Sequence, residues 1–190
     1  LDILEQEWNR EYNLIKDLLT LQQVESGELA FTPQELDLNQ IIASLATSFT
    51  EKWHSTKGLN LNTNLADEHL HFYSDLDSLQ HILNELLLNA AKYSDADTAI
   101  DLLVSTRNTF KGKEVEIVVS NHGAEIEPQE LPYIFDKFRR GKGVTDRAVP
   151  GTGLGLTLVK HLVEHLHGAI AVTCEAVSDA ELFETTFKVT

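Results

Sequence analysis

Apolar residues recur at helical spacing in four stretches of the chain. The pattern predicts helices over residues 1–27, 37–57, 75–93 and 153–166. The first carries more apolar residues than a lone solvated helix tolerates, so it needs a partner in a coiled coil or a helical hairpin.

Capping residues and glycines mark the ends of these helices. Asp37 and Gln40 have the spacing of a capping box at the start of the second helix, and Gly58 ends it. Ser74 is the predicted N-cap of the third helix, and Gly168 follows the fourth. The helix over residues 75–93 has the most regular apolar face of the four.

Alternating apolar residues predict strands between and after these helices, at residues 59–65, 99–106, 115–120, 169–174 and 182–189. The second and third are joined by a polar, glycine-containing turn, so they should pair antiparallel. Residues 28–36 are expected to be an extended connector. The sequence therefore predicts an α+β, two-layer α/β sandwich: a mixed, mostly antiparallel sheet with three helices on one face, preceded by a long N-terminal helix.

Composition narrows the class of protein. The 190 residues suit one medium domain with an appendage, and their formal net charge of −15 disfavours nucleic acid and anionic lipid as partners. No apolar run approaches the roughly 18 residues of a membrane span. Methionine is absent even at position 1, and Cys174 has no disulfide partner, so we expect a piece of a larger protein working in the cytoplasm.

A glycine-rich turn, Gly151-Thr152-Gly153-Leu154-Gly155-Leu156, leads directly into the fourth helix. Backbone amides in such a turn, together with the positive end of the helix, bind phosphate groups. The turn lacks the Gly-Lys-Ser/Thr ending of a Walker loop, and it lies too late in the chain for a dinucleotide-binding turn. Taken alone, it is also compatible with an ordinary tight turn.

Glu85 and Asn89 interrupt the apolar pattern of the third helix and lie on one of its faces, followed by Lys92 and Tyr93. An Asn oxygen suits Mg²⁺, a carboxylate beside it suits a base, and Lys92 suits a phosphate. For an isolated Glu and Asn pair, a helix edge facing water is the better explanation.

A long loop over residues 136–153 precedes the glycine-rich turn. It contains a basic run within an acidic chain, formed by Lys137, Arg139, Arg140, Lys142 and Arg147. Long loops without regular structure are usually functional, so the run is either a local contact for phosphates or a solvated loop.

The order of these motifs resembles the histidine kinase branch of the superfamily that contains gyrase B, heat-shock chaperone ATPases and mismatch-repair ATPases. His81 to Ser94 resembles the asparagine box, Asn121 to Ile126 the first glycine box, Ile134 to Phe138 the phenylalanine box, and Gly151 to Leu156 the second glycine box. The N-terminal helix resembles the second helix of the dimerisation and phosphotransfer hairpin. The resemblance covers nearly the whole chain.

This resemblance implies ATP and Mg²⁺ as cofactors, with Asn89 as Mg²⁺ ligand and Glu85 as catalytic base. It also implies a nucleotide contact surface formed by Asn89, Lys92, Tyr93, Asn121, Gly123, Ile126, Phe135, Phe138, Arg139, Arg140, Gly151, Thr152, Gly153, Leu154, Gly155 and Leu156. Asn121 and Glu125 depart from the family pattern, which has Asp and Gly there. An Asn carbonyl accepts the hydrogen bond of the adenine amine without charge assistance, so weaker binding is expected.

None of the eight histidines has the sequence context of the family's phosphoacceptor. The resemblance therefore implies a partial hairpin at residues 1–28 and an ATP-binding catalytic domain at residues 29–190, which binds ATP without phosphorylating itself. The expected partners are the missing phosphoacceptor histidine, a response regulator receiver domain and a second copy bound through the N-terminal helix.

Other functions remain open at this point. A serine kinase of the anti-sigma-factor type shares the nucleotide fold but does not need the N-terminal helix. A degenerate nucleotide sensor or dimeric scaffold would explain Asn121 and Glu125. A chaperone-type ATPase is favoured by Glu85 alone.

Overall fold

A computed structural model describes residues 2–65, 71–110, 112–139, 151–177 and 182–190. The helices are α1 (Asp2–Glu25), α2 (Leu38–Lys57), α3 (Leu76–Tyr93) and α4 (Gly155–His165), with a short 3-10 turn at Leu131–Tyr133. The strands are β1 (Pro33–Asp37), β2 (Asn60–Leu65), β3 (His71–Asp75), β4 (Ala99–Thr109), β5 (Gly112–Gly123), β6 (Ile170–Ala176) and β7 (Phe183–Val189).

Five strands form the main sheet in the order β2-β4-β5-β7-β6. β2 runs parallel to β4, and the other neighbours are antiparallel. The parallel pair is joined through β3 and α3, because parallel neighbours need a crossover connection. β1 and β3 form a separate antiparallel pair. The predicted mixed, mostly antiparallel sheet is confirmed.

The hydrophobic core lies between one face of the sheet and the helices. Alternate residues of β4, Ile100, Leu102 and Val104, are buried, whereas Leu103 between them is 38% exposed. α2 contacts β2, α3 contacts β5, and α3 packs against α4. The helices contribute Leu79, Ile82, Leu83, Leu86, Leu158, Val159 and Leu162, all nearly fully buried. Burial of each Leu side chain contributes about 1.5–3 kcal/mol, so this layer positions α3 and α4.

The N-terminal helix α1 packs against α4 and carries two apolar stripes. One stripe, with Leu14, Leu21 and Val24, joins the core, and Leu21 is 3% exposed. The other, Trp8, Tyr12, Ile15 and Leu19, is mostly exposed. The rest of the chain therefore covers one of the two apolar stripes of α1. Among the described residues, no helix combines the length and hydropathy needed to cross a bilayer.

Two local predictions were wrong. The connector predicted at residues 28–36 contains β1, which pairs with β3. The N-cap of α3 is Asp75 rather than Ser74, because its carboxylate accepts hydrogen bonds from the amides of Ser78 (2.8 Å) and Thr32 (3.1 Å). The Asp75 side chain thus caps the start of α3 and also binds the amide of Thr32, the residue before β1. The capping of α2 by Asp37 and its end at Gly58 are confirmed.

We expect Asp75→Ala to lower the free energy of unfolding by about 2 kcal/mol, since it removes an N-cap and leaves a second amide unpaired. Burial opposes ionisation of Asp75, but the hydrogen bonds from Ser78 and Thr32 outweigh it and lower its pKa. The stabilisation is therefore complete above the unfolded pKa of about 4 and is lost as the pH falls. Urea denaturation between pH 7 and pH 3 measures it.

The control is Asp37→Ala, which removes the more exposed cap of α2. Asp37→Ala should lower the free energy of unfolding by about 1 kcal/mol, because the Asp37 carboxylate accepts an exposed capping hydrogen bond from the amide of Gln40 at 3.2 Å. Equal losses for the two variants would show that the bond to Thr32 contributes nothing.

Candidate functional site

α3 presents a row of polar groups along the edge of its buried face. Glu85 and Asn89 are half-buried, one turn apart, beside the buried Leu86 and Ala90. Tyr93 at the end of the helix is 41% exposed. Because they are four residues apart, both side chains lie on the same flank of α3, as predicted from the sequence.

The start of α4 lies directly against Glu85. A Cβ atom on Gly155 would overlap Oε2 of Glu85, so a side chain at this position would displace the Glu85 carboxylate. Leu154, the N-cap of α4, makes no side-chain capping bond. The amides of the first turn of α4 and the glycine-rich turn before it therefore lie near Glu85 and are available to an anion. The region between these amides and the polar row of α3 is called the cleft below. The two strongest sequence motifs meet there.

Glu85 has a raised pKa. Burial is the main cause, the negative charge of Asp17 adds to it, and Lys92 opposes it. Asp17 comes from α1, and its own pKa is raised by burial despite Lys16 and Lys92. α1 thus places a carboxylate close to the predicted base, in a cluster that spans α1 and α3.

We expect Asp17→Asn to lower the pKa of Glu85, because removal of a nearby like charge favours the ionised form. An NMR titration of the protein with ¹³C-labelled glutamate carboxyls measures the shift, and Glu85→Gln identifies the signal. Asp77→Asn is the control, since it removes an equal charge from an exposed position of α3. An unchanged Glu85 titration in Asp17→Asn would contradict the coupling.

The end of β5 is locked to the end of α3. A Cβ atom on Gly123 would overlap the carbonyl oxygen of Tyr93, Ser94 forms a bridge with Gly123, and the Asp95 amide donates to His122 O at 2.9 Å. Asn121, two residues earlier in β5, is 4% exposed on the face of the sheet that carries the helices. The first glycine box therefore lies beside α3, as the resemblance implies.

The phenylalanine box is held by α4 and by the glycine-rich turn. Thr157 Oγ1 donates to Phe135 O at 2.8 Å, and the Phe135 ring packs edge-on against Phe187. The Phe138 amide donates to Gly153 O at 2.8 Å, with Phe138 itself 62% exposed at φ 61°. The start of the long loop and the end of that loop are thus bonded to each other.

The remaining predicted contacts are less central. The amide of Ile126 points to Cys174 Sγ of β6 at 3.3 Å, and Arg139 lies over the Tyr133 ring at 5.6 Å. Thr152 Oγ1 accepts from the Leu154 amide at 3.3 Å. Arg140, Lys142 and Arg147 lie outside the described residues.

Three contributors were missed in the sequence. Asp17 lies in the stripe of α1 that packs against the rest of the chain. An acidic residue among apolar neighbours was the signal that could have identified it from the sequence. The sequence around Thr157 and Lys57 contains no comparable indication that these residues contribute to the site. Lys57 Nζ donates to the carbonyls of Ala91 (2.8 Å) and Lys92 (3.1 Å), capping α3, and burial lowers its pKa.

Residues 74–190 match the family described as histidine kinase-, DNA gyrase B-, and HSP90-like ATPase. The matched segment contains both glycine boxes, the asparagine box and the phenylalanine box. The chain belongs to this ATPase family.

Individual relatives point to one branch of it. The signal transduction histidine-protein kinase BaeS of Escherichia coli is 29% identical over 157 residues, which cover 83% of this chain and 32% of BaeS. The Acinetobacter baumannii histidine kinase AdeS superposes with a TM-score of 0.72 at 21% identity, covering 100% of this chain and 82% of that one. Full-length ShkA in complex with AMPPNP superposes with a TM-score of 0.77 at 22% identity, covering 98% and 37%.

Proposed function

We propose that the chain is the ATP-binding catalytic part of a sensor histidine kinase, which transfers the γ-phosphoryl group of ATP to a histidine nitrogen. The observation that carries this proposal is the close approach of the start of α4 to Glu85 on α3. There Glu85 and Asn89 border a glycine-rich turn whose first helical residue, Gly155, touches Glu85.

The residues of the cleft fit a magnesium nucleotide. Asn89 offers a carboxamide oxygen, a hard neutral ligand of the kind that Mg²⁺ takes together with phosphate oxygens and water. Mg²⁺ bound there would neutralise phosphate charge. The amides of residues 151–156 and the positive end of α4 would hold phosphates, assisted by Lys92, Arg139 and Arg140.

The other side of the cleft would hold the base and sugar. Asn121 is its buried polar group, and Tyr93, Gly123, Ile126, Phe135 and Phe138 complete the contact surface. Phosphoryl transfer needs little covalent chemistry from the protein, so positioning and charge neutralisation do most of the work. Glu85, whose pKa burial raises, is suited to take a proton from the attacking nucleophile or to orient it.

α1 supports the kinase assignment over the serine-kinase alternative. We assign residues 1–28 to a dimerisation and phosphotransfer hairpin and residues 29–190 to the catalytic domain. The exposed stripe of Trp8, Tyr12, Ile15 and Leu19 suits the apolar face of other hairpin helices, including those of a second copy. The phosphoryl group would then pass from histidine to the receiver domain of a response regulator.

Calorimetric titration with ATP, with and without Mg²⁺, tests nucleotide binding. Transfer is tested by adding labelled ATP and a separately produced hairpin that carries a phosphoacceptor histidine. Label on the hairpin that is stable in alkali and lost in acid indicates phosphohistidine. Acid-stable label would favour a serine kinase, and a well-folded protein that binds no nucleotide would favour a signalling scaffold.

A further inference from the structure

His81 of α3 has a buried ring nitrogen without a hydrogen-bond partner. Its Nε2 is closed off from solvent, and no described residue is hydrogen-bonded to it. Buried polar atoms in native proteins are nearly always paired, so this exception needs a physical explanation. A neutral imidazole can keep one bare nitrogen buried, whereas an imidazolium carries an N–H on both nitrogens and needs an acceptor for each. The surroundings of His81 therefore suit only its neutral form.

The N-terminal helix α1 lies against this part of α3. Lys16 acts electrostatically on His81, and Asp17, the next residue of α1, acts on Glu85, one turn after His81 on α3. Leu14 and Leu21, on either side of this pair in α1, pack into the hydrophobic core. A polar contact between α1 and α3 is thus enclosed by apolar contacts of the same helix.

A proton on His81 is unfavourable in this arrangement. Burial lowers the pKa of His81, and the positive charge of Lys16 lowers it further. A protonated ring would place a second positive charge near Lys16 and would leave a buried N–H without an acceptor. Both costs disappear when α1 moves away, since Nε2 then reaches water and Lys16 is withdrawn.

The other titratable groups of this interface do not offer His81 a permanent counter-ion. Burial raises the pKa of both Asp17 and Glu85, and Lys92 lowers the pKa of each. α4 packs against both helices, but none of its titratable side chains is among the groups that shift the pKa of His81; they are Lys160, His161, Glu164 and His165.

We propose that His81 is a proton-sensitive contact between α1 and α3, and that protonation of its imidazole loosens α1 from the rest of the chain. The contribution of His81 to the packing of α1 is complete above its ordinary pKa of about 6.5, and it is lost as the pH falls from there through the lower pKa of the packed state. Asp17 would leave Glu85 together with the helix, which would lower the pKa of Glu85.

This inference concerns the packing of α1 and is independent of the proposed function, so a chain that failed to bind nucleotide would leave it intact. Protonation of Asp17 and Glu85 has the opposite effect, since their raised pKa values mean that packing of α1 favours the protonated carboxyl groups. The effect of His81 is therefore measured as a difference between the unaltered protein and a variant that keeps both carboxyl groups.

Amide hydrogen exchange of residues 14–24, measured by mass spectrometry on the 190-residue chain between about pH 7.5 and pH 5.5, provides that measurement. A single amphipathic helix is marginally stable in water, so these amides lose protection when α1 leaves the interface. From the higher to the lower pH, we expect the protection factor of the unaltered protein to fall about three- to tenfold relative to that of His81→Gln.

His54→Gln is the matched control. It removes an imidazole by the same substitution at an exposed position of α2, so it should follow the unaltered protein at every pH. Lys16→Gln is a second variant at an exposed position of α1, and it removes the like charge. It should raise the pKa of His81 and so reduce the loss of protection at low pH.

Equal pH dependence of protection in His81→Gln and in the unaltered protein would overturn the proposal. If His81→Gln fails to fold, NMR titration of the histidine rings in the unaltered protein decides instead, with His81 assigned through its backbone. A His81 ring that titrates at or above about pH 6.5 in the folded protein would overturn the proposal, because packing of α1 would then carry no penalty for the proton. A ring that titrates clearly below that value, and higher in Lys16→Gln, supports it.

Discussion

Gly153→Ala should weaken Mg·ATP binding at least about a hundredfold, because the methyl group has no place to go. Gly153 has φ 72°, and a Cβ atom there would lie 2.7 Å from the carbonyl carbon of Phe138, 2.8 Å from its Cα and 2.9 Å from Arg139 O. All three are backbone atoms, which cannot rotate aside. The hydrogen bond from the Phe138 amide to Gly153 O would break, releasing the start of the long loop from the glycine-rich turn.

Gly27→Ala is the matched control for this variant. Gly27 has nearly the same φ, 71°, but a Cβ atom there would have no neighbour within 4 Å. Its substitution therefore carries the strain of a left-handed residue, about 1–2 kcal/mol, without a collision. Calorimetry and thermal denaturation of both variants separate the two effects. Nucleotide affinity in Gly153→Ala equal to that in Gly27→Ala would refute the role given to the collision.

The helices were predictable from the sequence because their signals are local. The apolar residues of α3 repeat every three or four positions over 18 residues, and the burial of Leu79, Ile82, Leu83 and Leu86 follows that repeat. The glycine that ends α2 was equally readable, since Gly58 has φ 66°.

β1 was not predictable in this way. Its residues, Pro33 to Asp37, show no alternation of apolar and polar side chains, and Leu36 is its one apolar member. The strand exists because β3, some 40 residues later, pairs with it, and because Asp75 binds the amide of Thr32. Such pairing depends on tertiary contacts, and the intrinsic strand propensity of these residues does not predict it.

The candidate site shows the same contrast between local sequence signals and contacts made by distant residues. The family resemblance supplied the candidate contact residues, and the spacing of Glu85 and Asn89 placed both on one flank of α3. The contact of Glu85 with Gly155, and the approach of Asp17, join segments about 70 residues apart. Burial and the negative charge of Asp17 raise the pKa of Glu85, so its chemistry could not be read from α3 alone.

Asn89→Ala should lower the affinity for Mg·ATP on the order of a hundredfold, because it removes the oxygen proposed to bind the metal. Asn84→Ala is the control: Asn84 is exposed on the same helix, so it matches the change in helix propensity without touching the cleft. Calorimetry with ATP in the presence of Mg²⁺ measures both.

The same titration in EDTA separates a metal ligand from a structural residue. If Asn89 acts through Mg²⁺, the unaltered protein and Asn89→Ala bind metal-free ATP alike, and their affinities diverge as Mg²⁺ is added. Asn89→Asp should recover part of the divergence, since it restores a hard oxygen with an added charge. A loss of equal size with and without Mg²⁺ would mean that Asn89 shapes the cleft rather than binding the metal.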